Sequence, residues 1–281
     1  MSQHKKYPRK SRGKRRNTGL KTIFALAIIL VGMWLGVDQQ PSNLASMVNN
    51  LTSSLFHSNK SVESDQLAKL DYHSGDPSCI FVNHNKAQLD PNSWKTNKVI
   101  YSDLDNFNRT STGNLAYLEP RNVVSDDNRV RQYVEPTAWH QKFLDGQPII
   151  NRGHLIAYSI SGGISSSGQY NPTDTSGDQN NPKNLFTQTS FSQTSFSNQR
   201  VQTIFESKIR ESLRRGNKVI FFAKPIFRGN ELMARGIHLE AISTDRTLNF
   251  NVYLFNVQPG IQFDYATGRS RVDRTMKVPE P

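Results

Sequence analysis

Residues suited to hydrolytic chemistry fall in two places along the 281-residue chain. The first is Asn151-Arg152-Gly153-His154, flanked by Ile149-Ile150 and Leu155-Ile156. A short apolar run that gives way to a cation, a glycine and a histidine reads as a buried strand ending on an imidazole. The second is Asn184, followed by Asn198-Gln199, Glu206 and Arg210. A histidine beside a glycine is by itself most often structural. The second group shifts that balance, because it adds amide and carboxylate oxygens for a hard cation and an arginine for a phosphate. Phosphodiester hydrolysis is the expected chemistry.

That reaction needs a nucleophilic water, charge neutralisation at phosphorus and help for the leaving oxygen. An imidazole has an unperturbed pKa of ~6.5 and takes a proton near neutral pH, so His154 is the expected general base. Mg²⁺ would serve the other two needs. It prefers oxygen ligands and keeps several waters, so one amide, Asn198, suffices as its direct ligand. Glu206, eight residues on, lies roughly 12 Å further along a helix and about 80° round it. That position suits holding a metal-bound water, or orienting the site, better than sharing the metal. Arg210, one turn later, is expected to reach a phosphate oxygen.

The elements that must carry these residues follow from periodicity. Residues 198–213 read as a helix, with Val201, Ile204, Phe205, Ile209 and Leu213 on an apolar stripe and Asn198, Gln202, Glu206 and Arg210 on another. Residues 184–188 read as a strand, and the Ser/Gly/Thr/Asn-rich stretch 159–177 as a long functional loop. Strands are expected at 79–82, 98–101 and 114–118, and in a C-terminal series at 218–227, 236–242, 248–257 and 261–265. Alternation of Leu248, Phe250, Val252 and Leu254 with Asn249, Asn251 and Tyr253 predicts one buried and one wet face. The fold class is α+β, a mostly antiparallel central sheet with few helices.

The net charge of +12 suggests nucleic acid until it is partitioned. Residues 1–21 hold nine Lys and Arg and no acid, leaving 26 basic against 23 acidic residues elsewhere, a net of +3. Residues 22–37 are uncharged and apolar. A basic tail followed by such a segment reads as a transmembrane signal anchor with its N-terminus inside; cleavage near Ala45 and secretion is the alternative. The organisation is thus a basic cytoplasmic tail (1–21), an anchor (22–37), a stalk (38–70) and a catalytic domain (71–281) outside the cell. Cys79 is the only cysteine, which excludes an intramolecular disulfide and reads as a small buried hydrophobe. His140 and His238 read as structural, and His73 and His84 lack the close spacing of a zinc site.

Together these residues resemble the DNA/RNA non-specific endonucleases with the ββα-metal fold, specifically the membrane-attached DNA-entry nucleases of competence systems. Their signature is Asp-Arg-Gly-His, an Asn beyond the loop, then Asn-Gln and a Glu on the helix. Here it is matched by Asn151-Arg152-Gly153-His154, Asn184, Asn198-Gln199 and Glu206. Weaker similarity runs from Tyr101-Ser102-Asp103-Leu104-Asp105 through Pro136-Thr137-Ala138-Trp139-His140 to Asp264-Tyr265-Ala266-Thr267-Gly268. The resemblance implies a Mg²⁺-dependent, sequence-tolerant endonuclease acting on DNA, with RNA as the alternative substrate, Mn²⁺ as the alternative ion and DNA-uptake machinery as the candidate partner. It makes His154 the base, Asn198 the metal ligand, Arg152 and Arg210 phosphate contacts, and Asn184 an orienting amide. Two departures stand out. Asn151 replaces the family's Asp, removing a negative charge near the metal. A tandem repeat, Thr189-Ser190-Phe191-Ser192-Gln193 then Thr194-Ser195-Phe196-Ser197-Asn198, makes Gln193 the rival ligand; the register to Glu206 favours Asn198. A tethered DNA receptor with a decayed site is the competing reading.

Overall fold

The computed structural model describes residues 64–125, 130–174, 179–190 and 198–279, with backbone alone at 198–200. The expected tail, anchor and most of the stalk lie outside the described residues. Among the described residues no helix is long and apolar enough to cross a membrane.

A six-stranded antiparallel sheet forms the centre. Its strands are β1 (Cys79–Phe81), β2 (Lys98–Ile100), β3 (Asn114–Leu118), β8 (Val219–Ile226), β9 (Gly236–Ser243) and β10 (Asn249–Phe255), in the order β1-β10-β9-β8-β3-β2. The last three form a meander, as the turn residues between them require. Two small hairpins lie apart, β4 (Phe143–Leu144) with β5 (Gln147–Pro148), and β11 (Ile261–Asp264) with β12 (Arg269–Val272). A separate ribbon pairs β6 (Ile150–His154) with β7 (Leu185–Thr189), and the helix α1 (Asn198–Arg214) follows it.

The helix owes its seat to its apolar stripe. Val201, Phe205, Ile209 and Leu213 are buried against one face of the sheet, with the Phe205 and Phe250 rings 5.0 Å apart. Burying such side chains contributes about 1.5–3 kcal/mol each. Ile204, expected in that stripe, is instead exposed: at ~100° per residue it falls about 60° to one side of Val201, while Phe205, Ile209 and Leu213 step away to the other. The helix stops where Gly216 adopts φ +91°, its N–H donating to Leu213 O while Asn217 N–H donates to Ser212 O. This double closure needs a left-handed residue, which glycine supplies without strain.

The expected wet face of β10 is also a correction. Asn249 is exposed, but Asn251 and Tyr253 are fully buried. Residues 83–86 cover Asn251, whose side chain donates to Lys86 O, and Leu67, Leu70 and Tyr72 pack with Tyr253 and Phe255. Arg228 further fixes this segment by donating to the carbonyls of Ala68 and Leu70. Residues 67–70, assigned to the stalk by composition, therefore pack in the same compact unit as the sheet.

The ribbon is attached to the sheet by buried amides. Asn256 accepts the Thr189 N–H at 2.8 Å and donates to Thr187 O at 3.0 Å, while Asn114 on β3 donates to Lys183 O at 2.9 Å. Polar side chains buried with full hydrogen bonding fix register more sharply than apolar contacts do.

Candidate active site

Ribbon and helix meet at His154. Strand β6 delivers the imidazole half-buried, with Leu185 opposite it on β7. Its Nε2 lies 3.3 Å from the main-chain oxygen of Gln179 and 3.1 Å from the Gln132 carboxamide nitrogen. From the helix, Gln202 donates to His154 O at 2.8 Å and to Glu206 Oε1 at 2.9 Å, and it accepts from Gln188 Nε2 at 3.0 Å. Gln188, Gln202 and Glu206 are all buried. Of the polar stripe read from the sequence, Gln202 therefore faces the ribbon and holds Glu206 beside it. One side-chain amide fixes the distance between the histidine strand and the helix, and it holds a carboxylate in place.

The expected metal ligand, Asn198, begins α1; its side chain, like Gln193, lies outside the described residues. The helix backbone places position 198 one turn, roughly 6 Å, before Gln202. Among the described residues no three His, Cys, Asp or Glu side chains gather as a metal cluster. The Glu206 carboxylate beside Gln202 and the amides around His154 are oxygen donors of the kind a divalent cation takes.

The remaining predicted residues divide by what they touch. Arg210 is half-buried on α1, its guanidinium donating to Ser159 Oγ at 2.8 Å and Ser207 Oγ at 2.5 Å. Neutral hydroxyls orient its charge without cancelling it. Arg152 is more committed: Nε donates to Val134 O at 2.6 Å, its head lies 3.7 Å from Glu135, and it stacks 4.4 Å over the Trp139 ring. Asn184 is fully buried and accepts the Ile156 N–H at 3.0 Å while donating to Ile156 O at 2.9 Å, so it clamps the chain just beyond His154. Replacing Asn184 by Ala leaves both Ile156 groups without these partners. The expected cost is about 3 kcal/mol, read as a lowered midpoint in urea unfolding.

Residues 90–245, more than half of the chain, match the family model of the DNA/RNA non-specific endonucleases. The chain belongs to this family. It is similar to NucA from Streptococcus agalactiae with magnesium ion bound, at 27% identity and a TM-score of 0.60 over 75% of this chain and 94% of that one. The metal-free structure of the same protein matches at 27% identity and a TM-score of 0.59, over 75% and 95%. The protein is a hydrolytic endonuclease with an α+β nuclease fold.

Within this nuclease the glycine of the Arg-Gly-His run has a steric reason. A Cβ at position 153 would land on the Gln188 side chain, which supports Gln202. Gly153→Ala is expected to cost about 1–3 kcal/mol from overpacking and to lower cleavage by displacing the Gln188–Gln202 pair; urea unfolding and a plasmid assay together check it. Sequence reading missed Gln132, Gln179 and Ser159, and it noted Gln202 only as a helical repeat. Other candidates are settled by their surroundings. Burial pushes the Cys79 thiol up to about 11, so it stays protonated and is no nucleophile at neutral pH. His238 is buried, with Nε2 2.6 Å from Asn251 Oδ1, a structural pairing.

Proposed function

We propose that this nuclease is a Mg²⁺-dependent, sequence-tolerant endonuclease that cuts DNA, and also RNA, at the outer face of the cell membrane. The observation carrying this reading is the Gln202 amide, which joins the helix that begins at Asn198 to the main chain of His154. When bound, the metal ion supplies charge neutralisation at the phosphate and at the leaving oxygen. Asn198 would hold it, and Glu206, oriented by Gln202, would accept from water in its shell. His154 takes the proton from the attacking water. Arg210, oriented by two hydroxyls, contacts phosphate. Arg152 supports the site from the other side, through its hold on Val134, Glu135 and Trp139.

No base-reading motif is present in this reading; recognition of the phosphate backbone supports low sequence preference. The basic tail and apolar segment ahead of the domain support a single-pass anchor, and with it a place beside DNA-uptake machinery. Magnesium in the similar NucA supports the choice of ion. The purified full chain is expected to nick and linearise plasmids of unrelated sequence with Mg²⁺, to be stopped by EDTA, and to fractionate with membranes. Binding of plasmid without cleavage would favour a receptor instead.

A further inference from the structure

Residues 130–135 pass beside β6 without joining a sheet and are held by side chains. Gln179 Oε1 accepts the Val130 N–H at 3.0 Å. The Asn180 amide takes the Tyr133 N–H at 3.0 Å and donates to Arg131 O at 3.2 Å, so it brackets Gln132 from both sides. The bracketed side chain is thereby aimed at the imidazole. Its nitrogen lies 3.1 Å from His154 Nε2 and 3.2 Å from Gln179 O, and the latter two are 3.3 Å apart.

A neutral imidazole carries one N–H, and the nitrogen that carries it is set by what the other atoms around it offer. The Gln179 carbonyl can only accept, so it draws the proton to Nε2 and leaves the lone pair on Nδ1. A carboxamide NH₂ facing Nε2 favours the opposite tautomer. Turned by half a rotation about its last bond, the same side chain would set its oxygen against the Gln179 carbonyl to which its nitrogen now donates at 3.2 Å, so the NH₂ stays toward the ring. Once the ring has taken a proton from water, both nitrogens are donors: Nε2 then donates to the Gln179 carbonyl, and the carboxamide NH₂ facing it has lost the lone pair it donated to. We propose that Gln132 is a positioning residue whose carboxamide selects the nitrogen of His154 that holds the lone pair, and so sets the pH at which the ring accepts a proton. This rests on His154 being the general base.

The charged groups on the elements packed around the ring are, among the described residues, Arg152 on β6, Glu206, Lys208, Arg210, Glu211 and Arg214 on α1, and Arg131 and Glu135 beside Gln132. All are unchanged in Gln132→Glu, which puts an acceptor-only carboxylate in the same place. It stabilises the protonated ring, so the folded-state pKa rises and the base is lost over a wider acid range. In the metal-free full chain, the NMR titration midpoint of the His154 ring, assigned by comparison with His154→Ala, is expected to rise by about one pH unit. The acid limb of the kcat profile moves the same way, with KM for DNA unchanged. In Gln132→Leu the ring shifts to the Nε2–H form, visible in its nitrogen chemical shifts. The segment is held through main-chain groups, which both variants keep.

A Gln132→Glu midpoint and acid limb coinciding with those of the unmodified chain would overturn the role of Gln132. The base reading is tested separately: His154→Ala cleaving at full speed removes it. An inactive His154→Ala together with an unmoved Gln132→Glu removes only the tautomer selection.

Discussion

His154→Ala is expected to lower kcat for plasmid cleavage by about 10²- to 10⁴-fold, the range that a positioned acid–base group contributes. Binding should survive. The strand that carries the residue is held by groups other than its ring: Gln202 grips the main-chain oxygen, and the Asn184 amide clamps Ile156 on both its N–H and its carbonyl. Removing the imidazole therefore takes away a proton acceptor without loosening the ribbon. DNA affinity, measured by a mobility shift in Ca²⁺ or EDTA, should change by less than the rate does. A variant that lost binding and cleavage in parallel would point to a structural histidine.

The second large effect concerns the metal. Asn198→Ala is expected to raise the Mg²⁺ needed for half-maximal activity by at least about 100-fold, since even residues supporting a ligand from behind are worth 10–100-fold. Gln193→Ala should leave it near that of the unmodified chain. The duplicated segment makes the comparison necessary, and the helix decides its expected outcome. Position 198 opens α1 on the stripe that continues through Gln202 and Glu206, both buried toward the ribbon. Gln193 lies outside the described residues, and in the sequence it falls off the four-residue repeat that runs back from Glu206 through Gln202 to Asn198. The reverse result would mean that the repeat shifts the ligand by five residues.

Much of the frame was legible because it rests on periodicity. The largely apolar run at 114–118, most of the apolar stripe of α1 and the turn residues of the meander are local signals that tertiary packing kept. Besides Ile204, one local reading failed where packing overrode it, and one strand gave no local signal. Asn251 and Tyr253 look like an exposed face, yet residues 83–86 and 67–72 return to cover them, and that return has no sequence period. Arg269-Ser270-Arg271 gives no apolar alternation, so β12 was invisible; its pairing comes from Phe263 and Ile261 opposite.

The site was legible in part for the same reason. Gln202, Glu206 and Arg210 recur every four residues, a spacing that puts them on one helix face. Gln132 and Gln179 reach the imidazole from irregular segments, and polar loop amides carry no spacing that distinguishes a partner of histidine from a solvated side chain. Arg152 shows the converse. Its place in the motif suggested phosphate, whereas its nearest neighbours are a carbonyl, a carboxylate and an indole.

We expect the ring of His154 and the amide at position 198 to face one cation. Mn²⁺ added to the full chain should broaden the His154 ring resonances strongly, Mg²⁺ should reverse the broadening by competition, and Asn198→Ala should abolish it at the same Mn²⁺ concentration. A His154 ring left sharp by Mn²⁺, or broadened equally with and without the Asn198 side chain, would contradict it.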